Sequence, residues 1–187
     1  MRRLFRCLAA LGWLTLPAAC SDSDPRTVED FNFDWRFALG DDPAWADPDF
    51  DDSGWRPLRL PHDWSVEGEF SADHPATPGG GALPGGVGWY RKTFRSPEAG
   101  RQVSVEFDGI YRNATVWLNG REVGHRPNGY ASFACDLTGA LRPAGEPNLL
   151  AVRCDNGDQP NSRWYSGSGI YRNVRLVVAG PLRVARW

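Results

Sequence analysis

Two segments of the chain concentrate ring and polar side chains of the kinds that recognise sugars: residues 61–88 and residues 155–172. Aromatic faces pack against the C–H faces of sugars, while carboxylates, amides and guanidinium groups form the paired hydrogen bonds that hydroxyls require. Loops on a rigid scaffold commonly carry binding residues. We therefore predict contact with a carbohydrate. The candidate contacts are Asp63, Trp64, Arg163, Trp164 and Tyr165.

These candidates also have ordinary structural alternatives. Asp63 is suited to closing a turn or capping a strand end, and Arg163 is suited to an ion pair with a loop aspartate. Most of the nine tryptophans are expected to cover the bases of loops rather than touch a ligand.

The sequence indicates neither a cofactor nor a metal. The three histidines share no ligand spacing, and Cys-x-x-Cys is absent. The acidic run at residues 47–54 superficially resembles a calcium loop, but its glycine is misplaced and no glutamate ends it. We expect that run to form a solvated acidic turn.

The scaffold that positions these segments is predicted to be all β. Apolar and polar residues alternate through Val103, Val105 and Phe107, and Asn119-Gly120 is a strong hairpin signal. Further strands are predicted at residues 90–94, 114–118, 121–123, 148–154 and 174–178, with one helical turn at residues 136–141. Because no segment sustains a 3.6-residue period, we predict an antiparallel β-sandwich or jelly roll of about eight strands.

Composition narrows the class of protein. The chain has 187 residues, with 21 basic and 23 acidic side chains, so it lacks the basic excess expected of a nucleic-acid-binding domain. A single (β/α)₈ barrel needs about 250 residues and does not fit. The length and composition that are left by these exclusions fit one loop-rich domain.

The N-terminus indicates export. A basic stretch precedes an apolar run at residues 8–16 that is too short to span a bilayer. Pro17-Ala18-Ala19-Cys20 is similar to a bacterial lipobox, in which the cysteine is lipidated, although Leu16 and Pro17 depart from its usual pattern. Plain secretion is the alternative. We predict a signal peptide over 1–20 and a polar tether over 21–30, in a protein that is periplasmic, anchored in the outer membrane or extracellular.

Two cysteines remain after such cleavage, Cys135 and Cys154. They could pair in an oxidising compartment, but their separation in sequence does not give the distance between them. We expect two buried free thiols.

Five sets of residues follow one another along the chain. They are Leu60-Pro61-His62-Asp63-Trp64, Gly88-Trp89-Tyr90-Arg91-Lys92-Thr93-Phe94, Phe107-Asp108-Gly109, Val116-Trp117-Leu118-Asn119-Gly120, and Arg163-Trp164-Tyr165 with Gly169-Ile170-Tyr171-Arg172. Together they resemble the N-terminal sugar-binding domain of glycoside hydrolase family 2, which contains β-galactosidases, β-glucuronidases and β-mannosidases. The resemblance implies a galactose-binding-like jelly roll over residues 31–180, with residues 181–187 starting a linker to an immunoglobulin-like domain and a catalytic (β/α)₈ barrel.

The same resemblance implies a retaining β-glycosidase whose two catalytic glutamates lie on that barrel. No glutamate of this chain follows an asparagine, as the family's acid/base does, so we assign no catalytic residue and leave open whether the chain is an enzyme. In some members, loops of this domain help to form the sugar subsite, and residues 63–64, 73–88 and 163–165 match those loops.

We expect the truncated N-terminal domain of an exported, β-galactosidase-like enzyme. Its partners would be a β-linked glycan and the missing domains, with contact to a membrane only through a lipid anchor. An autonomous carbohydrate-binding lipoprotein and a non-functional remnant are the alternatives.

Overall fold

The computed structural model describes residues 26–184, which form two antiparallel sheets packed face to face. The strands are β1 (Arg26–Asp30), β2 (Trp35–Leu39), β3 (Arg56–Leu58), β4 (Gly86–Arg95), β5 (Gln102–Phe107), β6 (Ala114–Leu118), β7 (Arg121–Arg126), β8 (Phe133–Asp136), β9 (Pro147–Asn156) and β10 (Val174–Ala179). One sheet has the order β1-β10-β5-β8, and the other has the order β3-β2-β4-β9-β6-β7. This confirms the predicted all-β antiparallel sandwich.

Short 3₁₀ turns are the helical elements of the described chain, at Pro43–Ala46, Ser65–Glu67, Pro78–Gly80 and Thr138–Ala140. The last of them lies within the predicted helical turn at residues 136–141. Between residues 26 and 184, no helix is both long enough and apolar enough to cross a membrane.

The structure adds strands that the sequence pattern did not indicate, among them β1 and β3. The polar tether was expected to reach residue 30, whereas Arg26–Asp30 pair with β10 as the edge strand β1. An edge strand with one partner can keep polar side chains on both faces, and Val28 is half exposed here, so β1 lacks the alternation that marks a half-buried strand. The predicted signal peptide, Cys20 and the start of the tether lie outside the described residues.

The core fills the space between the sheets with alternate residues of β5 and β9. Val103, Val105 and Phe107 on β5 face Leu150 and Val152 on β9, and all five are buried. Trp35 and Tyr90, both fully buried, complete the centre. Strand pairing and this apolar layer therefore hold the loops at each end in place.

The cysteines lie on different sheets, Cys135 on β8 and Cys154 on β9. Both are buried free thiols, which confirms the expectation. Burial raises the pKa of Cys135 to about 12 and also raises the pKa of Cys154.

The acidic run at residues 47–54 folds around a guanidinium. Arg91 on β4 is 1% exposed and donates through Nε to Asp52 Oδ2 at 2.7 Å. Its Nη atoms donate to the carbonyls of Trp45, Asp47 and Phe50. Of the carboxylates in the run, Asp52 is thus occupied by Arg91, while Asp47 and Asp51 accept from the backbone N–H groups of Asp49 and Ser53.

Replacing Arg91 tests how much this contact stabilises the fold. Arg91→Met removes a buried donor from Asp52 and from three carbonyls, although Asp52 keeps Arg36 and Asp47 O keeps the Phe50 N–H. We expect a loss of about 3 kcal/mol in the free energy of unfolding. Urea denaturation measures the loss, and Arg95→Met is the control because Arg95 lies exposed on the same strand. Equal losses in the two variants would contradict this account.

Candidate carbohydrate-binding site

The two segments rich in rings and polar groups start from the same end of the six-stranded sheet. Gly86, the first residue of β4, pairs with Asn156, the last residue of β9. The segment that precedes β4 and the segment that follows β9 therefore lie side by side. We call them the first loop, residues 59–85, and the second loop, residues 157–173.

A buried amide at the end of β9 organises the second loop. Asn156 is 2% exposed, and its Nδ2 donates to Gly167 O at 3.0 Å and to Ser168 Oγ at 2.8 Å. Its Oδ1 accepts from Asn161 Nδ2 at 2.7 Å and from Gln159 Nε2 at 2.8 Å. One side chain thus holds both halves of the loop.

Asp63 and Ser65 connect the first loop to the second. Ser65 Oγ donates to Pro84 O and accepts from Ser168 Oγ at 2.6 Å. Asp63 Oδ1 accepts from the backbone N–H groups of Ser65 and Ser168. Asp63 Oδ2 accepts from Tyr165 Oη. Asp63 is therefore a turn cap, the alternative considered from the sequence, and it also bridges the loops.

Tyr165 lies over the first loop with its ring partly exposed, at 39%. A Cβ at Gly81, where φ is +96°, would lie 3.1 Å from this ring, so a glycine there permits the close approach. Burial, followed by the hydrogen bond to Asp63, raises the pKa of Tyr165. Tyr165 therefore stays protonated and donates to Asp63 across the ordinary pH range.

Trp64 lies in the core, which corrects its expected role as a sugar contact. It is 3% exposed, its ring stacks on Phe37 with 5.8 Å between ring centroids, and its Nε1 donates to Gly85 O. A Cβ at Gly88 would come within 2.8 Å of the ring. Because Phe37 and Gly88 pack against it, Trp64 has no exposed face to offer a sugar.

Trp164, unlike Trp64, is exposed. It is 61% exposed and donates from Nε1 to Tyr130 Oη at 3.1 Å. Tyr130 is itself half exposed and packs edge-on against the buried Tyr111, with 5.3 Å between the ring centroids. We call Tyr130, Trp164 and Tyr165 the aromatic rim.

Tyr130 belongs to a loop that sequence reasoning did not select. It lies between β7 and β8, where Asn128 Oδ1 accepts from the backbone N–H groups of Tyr130 and Ala131. The available sequence signal for an exposed ring here was that Tyr130 directly follows the turn-forming pair Asn128-Gly129. Trp164 is distant from this turn in sequence, and the pairing of strands brings the two together. Local sequence pattern therefore could not predict their contact.

Arg163 precedes the rim in sequence and is exposed. It forms no ion pair with any residue between 26 and 184, so the alternative of an ion pair to a loop aspartate is not realised there. Its guanidinium keeps its donors for other partners, and guanidinium donors suit adjacent hydroxyls.

His62, in the first loop, contacts residues of β3, β4 and the same loop. Its Nδ1 lies 2.8 Å from Tyr90 Oη, and its Nε2 lies 2.7 Å from Arg56 Nη2 and 3.3 Å from Glu67 Oε1. Burial lowers the pKa of His62, which favours the neutral ring at neutral pH. Both ring nitrogens have partners, so His62 is a structural residue.

Chemically, the arrangement is one for binding. Exposed ring faces form the rim, and the exposed guanidinium of Arg163 precedes it in sequence. The carboxylate of Asp63 is committed to Tyr165, Ser65 and Ser168. The residues of the rim can therefore hold a sugar by its face and hydroxyls.

Asn156→Ala tests the organisation of the second loop. The change leaves buried donors and acceptors unpaired, so we expect unfolding to cost about 2 kcal/mol less. We also expect the Ser168 amide, which donates to Asp63 Oδ1, to exchange hydrogen faster. Hydrogen exchange and urea denaturation measure these effects. Asp158→Ala is the control, because that side chain is 89% exposed in the same loop. Unchanged exchange at Ser168 would contradict the role of Asn156.

Comparison with known proteins identifies a family model that matches part of this chain. The family model described as "Glycosyl hydrolase 2 galactose-binding domain-like" matches residues 87–166. That range runs from β4 to the second loop and includes Tyr130, Trp164 and Tyr165.

Similar proteins extend the match beyond that range. The chain is 58% identical to the β-galactosidase BoGH2A of Bacteroides ovatus over 174 residues, which is 90% of this chain and 20% of that protein. A solved β-glycosidase from Bacteroides vulgatus superposes with a TM-score of 0.79 at 42% identity, covering 83% of this chain and 20% of that one.

A glycosyl hydrolase family 2 member from Bacteroides cellulosilyticus superposes equally well, with a TM-score of 0.79 at 42% identity over 82% of this chain and 21% of that one. The chain thus spans about a fifth of the length of these relatives. The fold, the matched family model and these similarities lead to one assignment: the described part of the chain is the galactose-binding-like N-terminal domain of glycoside hydrolase family 2.

Proposed function

We propose that this domain is part of an exported β-glycosidase of the β-galactosidase type, and that its aromatic rim forms one wall of the sugar subsite. The observation that carries the proposal is the 58% identity to a β-galactosidase across 90% of the chain. An exposed rim on a tightly bonded loop base supports it.

The rim suits a sugar unit because its rings are held before a ligand arrives. Tyr130 Oη accepts from the indole of Trp164, and Asp63 fixes Tyr165. Ordering side chains in advance lowers the entropy cost of binding. In this proposal Trp164 packs against the C–H face of the sugar and Arg163 donates to adjacent hydroxyls, while Asp63 acts as a positioning residue through Tyr165.

The chemical step belongs, in this proposal, to further domains of the enzyme. A retaining glycosidase needs two carboxyl groups about 5–5.5 Å apart, and we assign neither to this chain. The immunoglobulin-like domain and the barrel would be its partners, with a β-linked glycan as substrate.

Binding and catalysis in the longer polypeptide test this function. We would sequence past the codon for Trp187, express any continuous frame that encodes a barrel, and assay it on nitrophenyl β-galactoside. We expect hydrolysis, and we expect Trp164→Ala to raise KM about tenfold with little change in kcat, because the ring contributes binding to ground state and transition state alike.

Val66→Ala is the control for that variant, since Val66 is 59% exposed on the first loop and lies outside the rim. A frame with nothing family-like beyond it would overturn the proposal. Sugar binding by the 187-residue chain alone would then favour the autonomous carbohydrate-binding lipoprotein.

We also propose that the chain is exported and anchored through Cys20. The support is the basic and apolar pattern that precedes Ala18-Ala19-Cys20. A lipid on this cysteine would hold the domain at the membrane by its N-terminus.

Metabolic labelling with palmitate tests the anchor. We expect label on the wild-type chain and its loss in Cys20→Ser, because the sulfur of Cys20 is the atom to which the lipid would be attached. Cys7→Ser is the matched control and should keep the label, since Cys7 lies within the predicted signal peptide. An exported wild-type chain without label would indicate plain secretion.

A further inference from the structure

The outer face of the four-stranded sheet carries a cavity of about 480 Å³. It lies over β10, β5 and β8 and is bordered by Arg126 of β7 and by Arg183, which follows β10. Its lining contains none of the rim residues. Ligand pockets commonly enclose about 300–1,000 Å³, so the cavity has room for a sugar unit.

Strand register explains why a cavity forms on this face. Val177 pairs with Ser104, and Ala179 pairs with Gln102, so these four side chains lie side by side on the outer surface. Their small or flexible side chains leave depth at the centre. Val177 and Ala179 are buried and form an apolar floor.

The polar groups of the cavity suit hydroxyls. Gln102 supplies an amide and Ser104 a hydroxyl, each able to donate and to accept. Ser132 Oγ already donates to Asp108 O at 3.1 Å and is left with its acceptor capacity. Glu106, which is only 5% exposed, adds a carboxylate at the base. Sugar hydroxyls need both hydrogen-bond donors and hydrogen-bond acceptors as partners.

The charges of the cavity favour an anion. Arg26, Arg126 and Arg183 supply three positive charges, against the two carboxylates of Glu106 and Asp136. Asp136 also accepts from the backbone N–H of Thr138 at 2.9 Å.

Glu106 faces a further cation on the neighbouring strand. It pairs across strands with Arg175, which forms a bidentate ion pair with Asp108. Counting only the groups that line the cavity, one positive charge is in excess.

We propose that this cavity binds a sugar unit that carries a carboxylate, a hexuronate, at a place separate from the aromatic rim. The carboxylate lies toward Arg126 and Arg183, because hydrogen bonds between a guanidinium and a carboxylate are stronger than bonds between neutral groups. The ring hydroxyls face Gln102, Ser104 and Glu106. This site is independent of the proposed β-glycosidase function, because neither its residues nor its ligand is shared with the rim.

Calorimetric titration of the 187-residue chain tests the proposal, with the chain purified as the Cys20→Ser variant so that no lipid interferes. The probes are digalacturonate, lactose and sodium acetate at one ionic strength. We expect saturable binding of digalacturonate, with lactose and acetate at least tenfold weaker, because only the first offers both a carboxylate and ring hydroxyls.

Two substitutions at the cavity should change affinity in opposite directions. Arg126→Met removes a cation and should weaken digalacturonate binding about tenfold. Asp136→Asn removes a repelling carboxylate and keeps an oxygen for Thr138, so it should tighten binding about threefold. A gain of affinity cannot come from misfolding, so Asp136→Asn keeps the test valid if Arg126→Met fails to fold.

Arg121→Met on β7 and Trp164→Ala at the rim are the controls and should leave digalacturonate binding unchanged. Acetate or lactose that binds as tightly as digalacturonate would overturn the proposal, as would loss of binding in Trp164→Ala or no measurable binding at all.

Discussion

One buried amide fixes the geometry of the site. Asn156 ends β9 within the hydrogen-bonded ladder and directs both its donor and its acceptor atoms into the second loop. Ser168, bonded to Asn156, then bonds Ser65 of the first loop. Because a buried polar group without a partner is costly, each member of this chain of bonds constrains the next. The exposed rings of the rim therefore project from a base that buried hydrogen bonds hold together.

Strand β4 also holds irregular segments in place through buried polar side chains, one on each face of its sheet. Its neighbouring residues Arg91 and Lys92 point to opposite faces of the sheet and are both buried. Arg91 gathers the carbonyls of the acidic run, while Lys92 Nζ donates to Phe33 O at 2.7 Å and lies 4.5 Å from the centroid of the Phe31 ring. Burial lowers the pKa of Lys92, and these partners offset part of that penalty. A single strand thus anchors irregular chain on both sides.

The sequence predicted what depends on local pattern and missed what depends on distant partners. Alternation identified β5, and the Asn119-Gly120 turn identified the β6–β7 hairpin, because side-chain period and turn conformation are properties of a few consecutive residues. Trp64 and Trp164 both stand among polar neighbours in loops, yet one is core and the other is exposed. The difference comes from Phe37 and Gly88, which strand pairing brings to Trp64.

The two buried thiols set how the domain responds to oxidants. Exchange with a disulfide requires a thiolate that a reagent can reach, and burial raises the pKa of both Cys135 and Cys154. Cys135 and Cys154 therefore exchange slowly in the folded domain, and they react most readily before β8 and β9 are packed. In an oxidising compartment, the speed of folding rather than the chemistry of the folded state decides how many chains escape incorrect cross-linking.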